Sequence, residues 1–163
     1  MEQALFTSSK QDWETPDWLF KELDKLFNFD IDVCAIEENA KCSRYFSPGI
    51  DGLKQDWQGC CWMNPPYGRD IKLWIEKAHQ ESLNGNTVVC LIPARVDTKI
   101  WQDVIFPNAK AICFIKGRLQ FGNSNINAPF PSSLLVFGEV TKEQIEYMKT
   151  LGKLIIHDDM GGK

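Results

Sequence analysis

The chain has no apolar run approaching the roughly 20 residues that a bilayer-crossing helix needs, so no membrane span is expected. Its first stretch, "MEQALFTSSKQDWE", lacks both a basic n-region and an apolar h-region, so it is not expected to be a signal peptide. There is no internal repeat and no low-complexity tract. Histidines number two, and neither His79 nor His157 lies at ligand-like spacing from a cysteine. No two cysteines form a C-x-x-C pair, so no metal site is expected. The six cysteines are Cys34, Cys42, Cys60, Cys61, Cys90 and Cys113. Most lie in apolar runs ("DVCA", "GCCWM", "VVCLI", "AICFI") and read as small buried hydrophobes in a reducing, cytoplasmic setting.

Bulk positive charge is lacking too. The net charge is −4, which argues against binding nucleic acid by overall charge. The distribution is uneven, however. Residues 1–64 carry 6 Lys/Arg against 12 Asp/Glu, whereas residues 65–120 carry 8 against 5. The basic middle holds Arg69, Lys72, Arg95, Lys99, Lys110, Lys116 and Arg118, a set suited to an anionic polymer.

At 163 residues, one domain spanning 1–163 around one core is expected. "TPDWLFKELDKLFN" reads as a helix capped by Thr15, with Pro16 in its first turn and Trp18, Leu19, Leu23, Leu26 and Phe27 at helical spacing. "FDIDVCA" reads as a buried strand over 29–35, and "RYFS" as a second extended piece. "GCCWM" and "TVVCLIPA" read as further buried strands, and "DIKLWIEKAHQESLNG" as a helix with an apolar stripe. "TKIWQDVIFPN" should be a helix stopped by Pro107. "AKAICFIKGRLQFG" and "SSLLVFGEV" suggest antiparallel strands around a polar loop, followed by a capped helix ("TKEQIEYMKTLG") and a short strand ("KLIIH"). The six tryptophans should be mostly core. Alternating strands and helices predict an α/β fold, a mainly parallel sheet with antiparallel C-terminal strands. Ligands of such sheets sit at the carboxyl ends of the strands. "FDIDVCA", "CCWMNPPY" and "VVCLIPAR" should end along one edge.

"CWMNPPYGRDIKLW" (Cys61–Trp74) is the least ordinary stretch. Two prolines after a strand stiffen the turn and remove backbone donors, leaving carbonyls free as acceptors. Asn64 adds a side-chain acceptor, and Tyr67 a flat face. Two acceptors beside a ring suit a planar group bearing an amino substituent, such as adenine. Hydrogen bonds from that amine to Asn64 and to the Pro65 carbonyl would localise the nitrogen lone pair. The amine would then be nucleophilic towards a methyl sulfonium, with Pro66 stiffening the loop.

"TPDWLF", "FDIDVCA", "ENAKC", "DGLKQDW", "NPPYGR", "IKLWIEKA" and "KGRLQF" together resemble the phage-type DNA N-6-adenine methyltransferase (Dam-like) family over roughly residues 13–137. The resemblance implies a compact, Rossmann-like fold that uses S-adenosylmethionine and acts on double-stranded DNA. It implies catalytic roles for Asn64, Pro65, Pro66 and Tyr67. Thr15 and Pro16 would touch the methionine end of the cofactor. Asp32, Cys34 and Ala35 would line its site at the end of the first strand. Asp51, in "DGL", would receive the cofactor's adenine amine, with Asp56 the competitor for that role. Asn39 and Glu38 would reach the ribose hydroxyls. The Gly-x-Gly that many methyltransferases carry after the first strand is missing; "DVCAIEENA" stands there, and the small pair Cys34–Ala35 must admit the cofactor instead. Arg69, Arg95, Lys116 and Arg118 are expected on DNA phosphates.

No long insertion supplies a separate target-recognition domain. Selectivity would come from the loop Gly122–Pro131, whose asparagines can pair with adenine edges, or from a second copy of the chain in a homodimer. Two other readings stand beside DNA methylation. One is methylation of an RNA base or a protein glutamine amide, since the same acceptor turn fits a planar amide nitrogen. The other is an inactive relative that binds DNA or a partner.

Overall fold

The structure is a computed structural model, and it describes residues 13–122 and 125–157. The chain runs through helix α1 (Asp17–Phe27), strand β1 (Ile31–Asp32), a 3-10 turn (Gly52–Lys54), β2 (Cys60–Met63), α2 (Ile71–Leu83) and β3 (Thr87–Pro93). A π-helical turn (Trp101–Ile105) leads into the one-turn helix α3 (Phe106–Asn108). Strands β4 (Ala111–Ile115) and β5 (Ser132–Phe137), helix α4 (Lys142–Leu151) and β6 (Gly152–Ile156) complete it.

The strands form one sheet in the order β1-β2-β3-β5-β4-β6. β1, β2 and β3 are parallel, and every later pairing is antiparallel. The parallel character is therefore confined to the first half, less than the sequence suggests. The β3–β5 pairing puts a downward strand in the middle of the sheet, so that β4, β5 and β6 all alternate. This half is nevertheless the one that matters for the site. The carboxyl ends of β1, β2 and β3 share one edge, where Asp32, Asn64 and Arg95 emerge.

Strand β1 is shorter than the expected 29–35. Just past it the Asp32 carboxylate accepts backbone N–H groups from Cys34 (3.2 Å) and Lys41 (3.0 Å), which curls the chain back on itself. "RYFS" reaches the sheet only as a single bridge, Asp32 to Tyr45. The missing proline N–H reshapes the 98–108 helix rather than ending it. Pro107 cannot donate to the preceding turn, and the ring crowds the carbonyl four residues back. The helix widens to a π-turn in which the Phe106 N–H donates to the Trp101 carbonyl.

The apolar spacing in α1 buries Leu19, Phe20, Leu23 and Phe27 against the sheet. Helix α4 starts with a reciprocal capping box: Thr141 Oγ1 accepts from the Gln144 N–H, and Gln144 Oε1 accepts from the Thr141 N–H. The Gln144 amide also donates to the Leu26 carbonyl, tying α4 to α1. Trp57, Trp62 and Trp101 are fully buried, but Trp18 is 52% exposed and belongs to no core. Among the described residues no helix is long and apolar enough to cross a membrane, and no group of metal-ligating side chains forms.

Candidate active site

Strand β2 ends at Met63, and the chain enters Asn64-Pro65-Pro66-Tyr67 before α2 begins at Ile71. The Asn64 side chain is held from one side. Its Nδ2 donates to the Trp13 carbonyl in a short hydrogen bond and to Thr15 Oγ1 at 3.0 Å. Both amide hydrogens are thereby used. Asn64 Oδ1 is buried and has no hydrogen-bond partner. A buried carbonyl oxygen left unpaired costs about 1–3 kcal/mol, so this acceptor is poised for a donor brought by a ligand.

Thr15 was expected to cap α1 or to touch cofactor. The cap position belongs instead to Pro16, which makes no side-chain cap bond. The Thr15 hydroxyl accepts from the Asn64 amide, which it helps to orient, and Thr15 lines the cavity described next. Thr15→Val should lower turnover by about tenfold, the size expected for misplacing one polar contact of about 1.4 kcal/mol. Thr15→Ser should restore most of it. Steady-state kinetics on the pair measures this, and equal turnover in Val and Ser variants would remove Thr15 from the positioning role.

A cavity of about 260 Å³ lies beside Asn64, lined by Thr15, Asp32, Cys34, Ala35, Asn64, Pro65 and Pro66 among others. The fold thus brings together seven residues that the sequence separates into three groups. Asn39 lines it too, while Glu38 lines a neighbouring 450 Å³ cavity that shares Thr15 and Asn39. Trp13, Glu14, Ile36, Lys41, Pro48 and Trp62 also line the first cavity and carried no legible signal of it. The contribution of Trp13 to Asn64 is a backbone carbonyl, which no side-chain pattern reveals.

Asp51 is not brought there. Its backbone is left-handed (φ 65°), and its Oδ1 accepts from the Leu53 N–H at 3.1 Å, closing the 3-10 turn. The next residue explains the placement. A Cβ on Gly52 would come within 2.3 Å of the Val33 carbonyl, so only glycine lets this turn press against the end of β1. Asp56 is exposed and lines neither cavity. Pro16 is buried under α1 and does not line the cavity either.

Tyr67 also departs from expectation. Its ring is buried, and its hydroxyl donates to the Leu91 carbonyl at 3.0 Å. Phe121 and Phe130 meet the ring edge-on, with centroids 6.2 and 5.6 Å away. Trp13 packs edge-on against the same two phenylalanines. The face expected to be free is therefore covered by the 119–131 segment. Burial pushes the phenol well above its ordinary range, so it remains a donor. The loop Gly122–Pro131 is correspondingly better anchored than its polar sequence suggests. Ala128 and Phe130 are buried, the Gly122 N–H donates to the Glu14 carbonyl at 2.9 Å, and Arg118 donates to the Ala128 carbonyl at 3.3 Å. Asn123 and Ser124 of that loop lie outside the described residues.

Of the cations expected on DNA, Arg69, Arg95, Lys116 and Arg118 are all exposed. The Arg95 guanidinium lies over the Phe130 ring at 5.7 Å. Arg69 and Arg95 converge on one groove; Lys116 and Arg118 do not line it.

The family model for DNA N-6-adenine-methyltransferase (Dam) matches residues 3–159. The chain belongs to this family. It is 40% identical over 121 residues to a DNA N-6-adenine-methyltransferase of Haemophilus phage HP1, covering 72% of this chain and 69% of the relative. It is 31% identical over 110 residues to a protein of the same name from Escherichia phage T1, covering 66% of this chain and 45% of the relative.

Within this Dam-family chain, the cavity's buried carboxylate is Asp32, 3% exposed. Burial raises its carboxyl from 3.8 to about 6, against the pull of the Lys41 and Cys34 N–H groups and the Lys41 charge. Each oxygen accepts one backbone bond and keeps a lone pair for a ligand. The sign for binding follows directly. A cationic ligand prefers the ionised form, so its affinity should be level above about pH 6 and fall towards tenfold per pH unit below it. Calorimetric titration with S-adenosylmethionine between pH 5 and 8 reads this, and an affinity independent of pH would remove Asp32 from the site.

Proposed function

We propose that this chain transfers a methyl group from S-adenosylmethionine to the exocyclic amine of adenine in double-stranded DNA, on a Rossmann-like methyltransferase fold. The observation that carries the proposal is the Asn64 amide, with both hydrogens of Nδ2 engaged and its buried oxygen unpaired at the end of β2. Family membership and the names of the phage relatives support the substrate. The parallel edge made by β1, β2 and β3 supports the fold.

The donor set fits the charged half of the cofactor. Asp32 offers a carboxylate to its cationic groups, Asn39 can meet a ribose hydroxyl, and Cys34 and Ala35 leave room where a glycine loop is absent. Asp51 accepts the Leu53 N–H with one oxygen, in its own turn, and does not line the cavity. When bound, S-adenosylmethionine supplies an electrophilic methyl carbon on a sulfonium. Asn64 Oδ1 accepts one hydrogen of the target amine, and the Pro65 carbonyl accepts the other. Both bonds strengthen as the nitrogen turns tetrahedral and positive, so they favour the transition state over the ground state. Pro66 keeps the two acceptors in fixed relation. Thr15 and the Trp13 carbonyl keep the Asn64 oxygen, rather than its nitrogen, facing the amine.

The target adenine must leave the duplex stack to reach this turn. For Tyr67 to stack on it, the edges of Phe121 and Phe130 must part from the ring. Phe121 and Phe130 would therefore serve as a cover over the ring, and the exposed Ile126 lies between them in the chain. A second copy of the chain would add further contacts to the duplex.

Purified protein with tritiated S-adenosylmethionine and unmethylated duplex, followed by nucleoside analysis, tests the proposal. Label in N-6-methyl-2′-deoxyadenosine is expected. Label in RNA or in protein glutamine instead would overturn the substrate, and cofactor binding without transfer to any of them would favour an inactive relative.

A further inference from the structure

A concavity of about 520 Å³ lies apart from the one beside Asn64. It lies between α2 and the π-turn, beyond the carboxyl ends of β2 and β3. Its floor is apolar, with Ile75 and Ile92 at the bottom. Its rim carries four cations, Arg69, Lys72, Arg95 and Lys99, and two acids, Glu76 and Asp103. The local balance is thus positive in a chain of net charge −4. Among the described residues none of the four cations forms an ion pair, whereas Lys25, Lys41, Lys77 and Lys149 each do. Unpaired like charges around one groove repel one another, and a polyanion relieves that repulsion.

The groove's position favours one polyanion. Arg69 follows Tyr67 by two residues, with Gly68 lining the groove between them. On the other rim the Arg95 guanidinium covers the Phe130 ring, and Phe130 in turn packs on Tyr67. One end of the groove therefore opens where the target base must enter. The geometry points to this groove as the site for the DNA strand flanking the target adenine. The four cations take successive phosphates, and the apolar floor takes the sugar or the unstacked face of a neighbouring base. This rests on the adenine-methylation reading above and adds Lys72 and Lys99 to the DNA contacts.

The test is duplex binding measured by fluorescence anisotropy over a range of salt concentrations. Lys72 and Lys99 are exposed, so the double variant Lys72→Gln/Lys99→Gln should fold, and calorimetric binding of S-adenosylmethionine checks that it does. Its dissociation constant for duplex should rise at least about tenfold near 0.1 M salt, and the salt slope should fall by roughly 1.8 for two lost phosphate contacts. Lys99→Glu should weaken binding at least as much as Lys99→Gln. Lys153→Gln, on the far strand β6, should leave both quantities near wild type. Unchanged affinity and slope in the double variant, when the wild type does methylate duplex, overturn the groove alone. A change in self-association by sedimentation, without a change in DNA binding, also overturns it and makes the groove an interface between copies. A wild type that neither binds nor methylates duplex overturns this inference together with the reading beneath it.

Discussion

Asn64→Ala is expected to lower turnover by about 10²–10³-fold, the cost of removing one preorganised acceptor at a centre where charge develops. Cofactor affinity should change little, because Asp32, Cys34 and Ala35 supply the opposite wall of the cavity. The variant also abandons two acceptors, the Trp13 carbonyl and Thr15 Oγ1. Some loosening of the 13–15 segment should follow, at about 1–3 kcal/mol for unpaired buried groups. Asn64→Asp separates the two effects. It keeps an acceptor oxygen but cannot donate to the Trp13 carbonyl, so its turnover should lie between wild type and the Ala variant. Single-turnover rates with saturating cofactor, alongside thermal unfolding, measure both. Wild-type turnover in Asn64→Ala would sink the assignment of this turn as the catalytic centre.

Tyr67 carries the second large effect, and it combines two roles. Deleting a fully enclosed ring leaves a cavity among Phe121, Phe130 and β3, so Tyr67→Ala should cost about 3–5 kcal/mol of stability. It should also lose turnover, since no ring remains to meet an extruded base. Tyr67→Phe discriminates between these roles. It keeps the ring and removes only the hydroxyl bond to the Leu91 carbonyl, so stability should fall by about 1–2 kcal/mol. If stacking is what catalysis requires of this residue, Tyr67→Phe turns over at close to the wild-type rate at a temperature where both proteins are folded. A Phe variant as inactive as the Ala variant would show that the hydroxyl, not the ring face, is what the reaction uses.

Much of the site was legible in the sequence because its chemistry is carried by residue types that regular structure does not want. A plain strand-to-helix turn requires neither Asn64 nor two prolines, and a buried strand end requires no Asp32. Those residues are indeed gathered at the edge where β1 and β2 finish. Asp51 carries an ambiguous sequence mark for a related reason. Its local job, closing the turn that presses Gly52 onto the Val33 carbonyl, leaves the same sequence mark as a binding aspartate. The enclosure of Tyr67 was not legible because nothing local announces Phe121 and Phe130, which approach from more than fifty residues away.

The sequence by itself determined the α/β class, the apolar faces of the helices, the capped start of α4 and the acceptor-rich turn after β2. Each depends on periodicity or on the stereochemistry of a few consecutive residues. The tertiary structure decided the rest. It inserted β5 between β3 and β4, confined the parallel pairing to three strands, and folded Trp13 and Thr15 onto Asn64. It covered Tyr67 and gathered four unpaired cations around one groove. These outcomes join residues distant in the chain through backbone carbonyls, ring edges and charge, and such contacts have no period in a sequence from which they could be read.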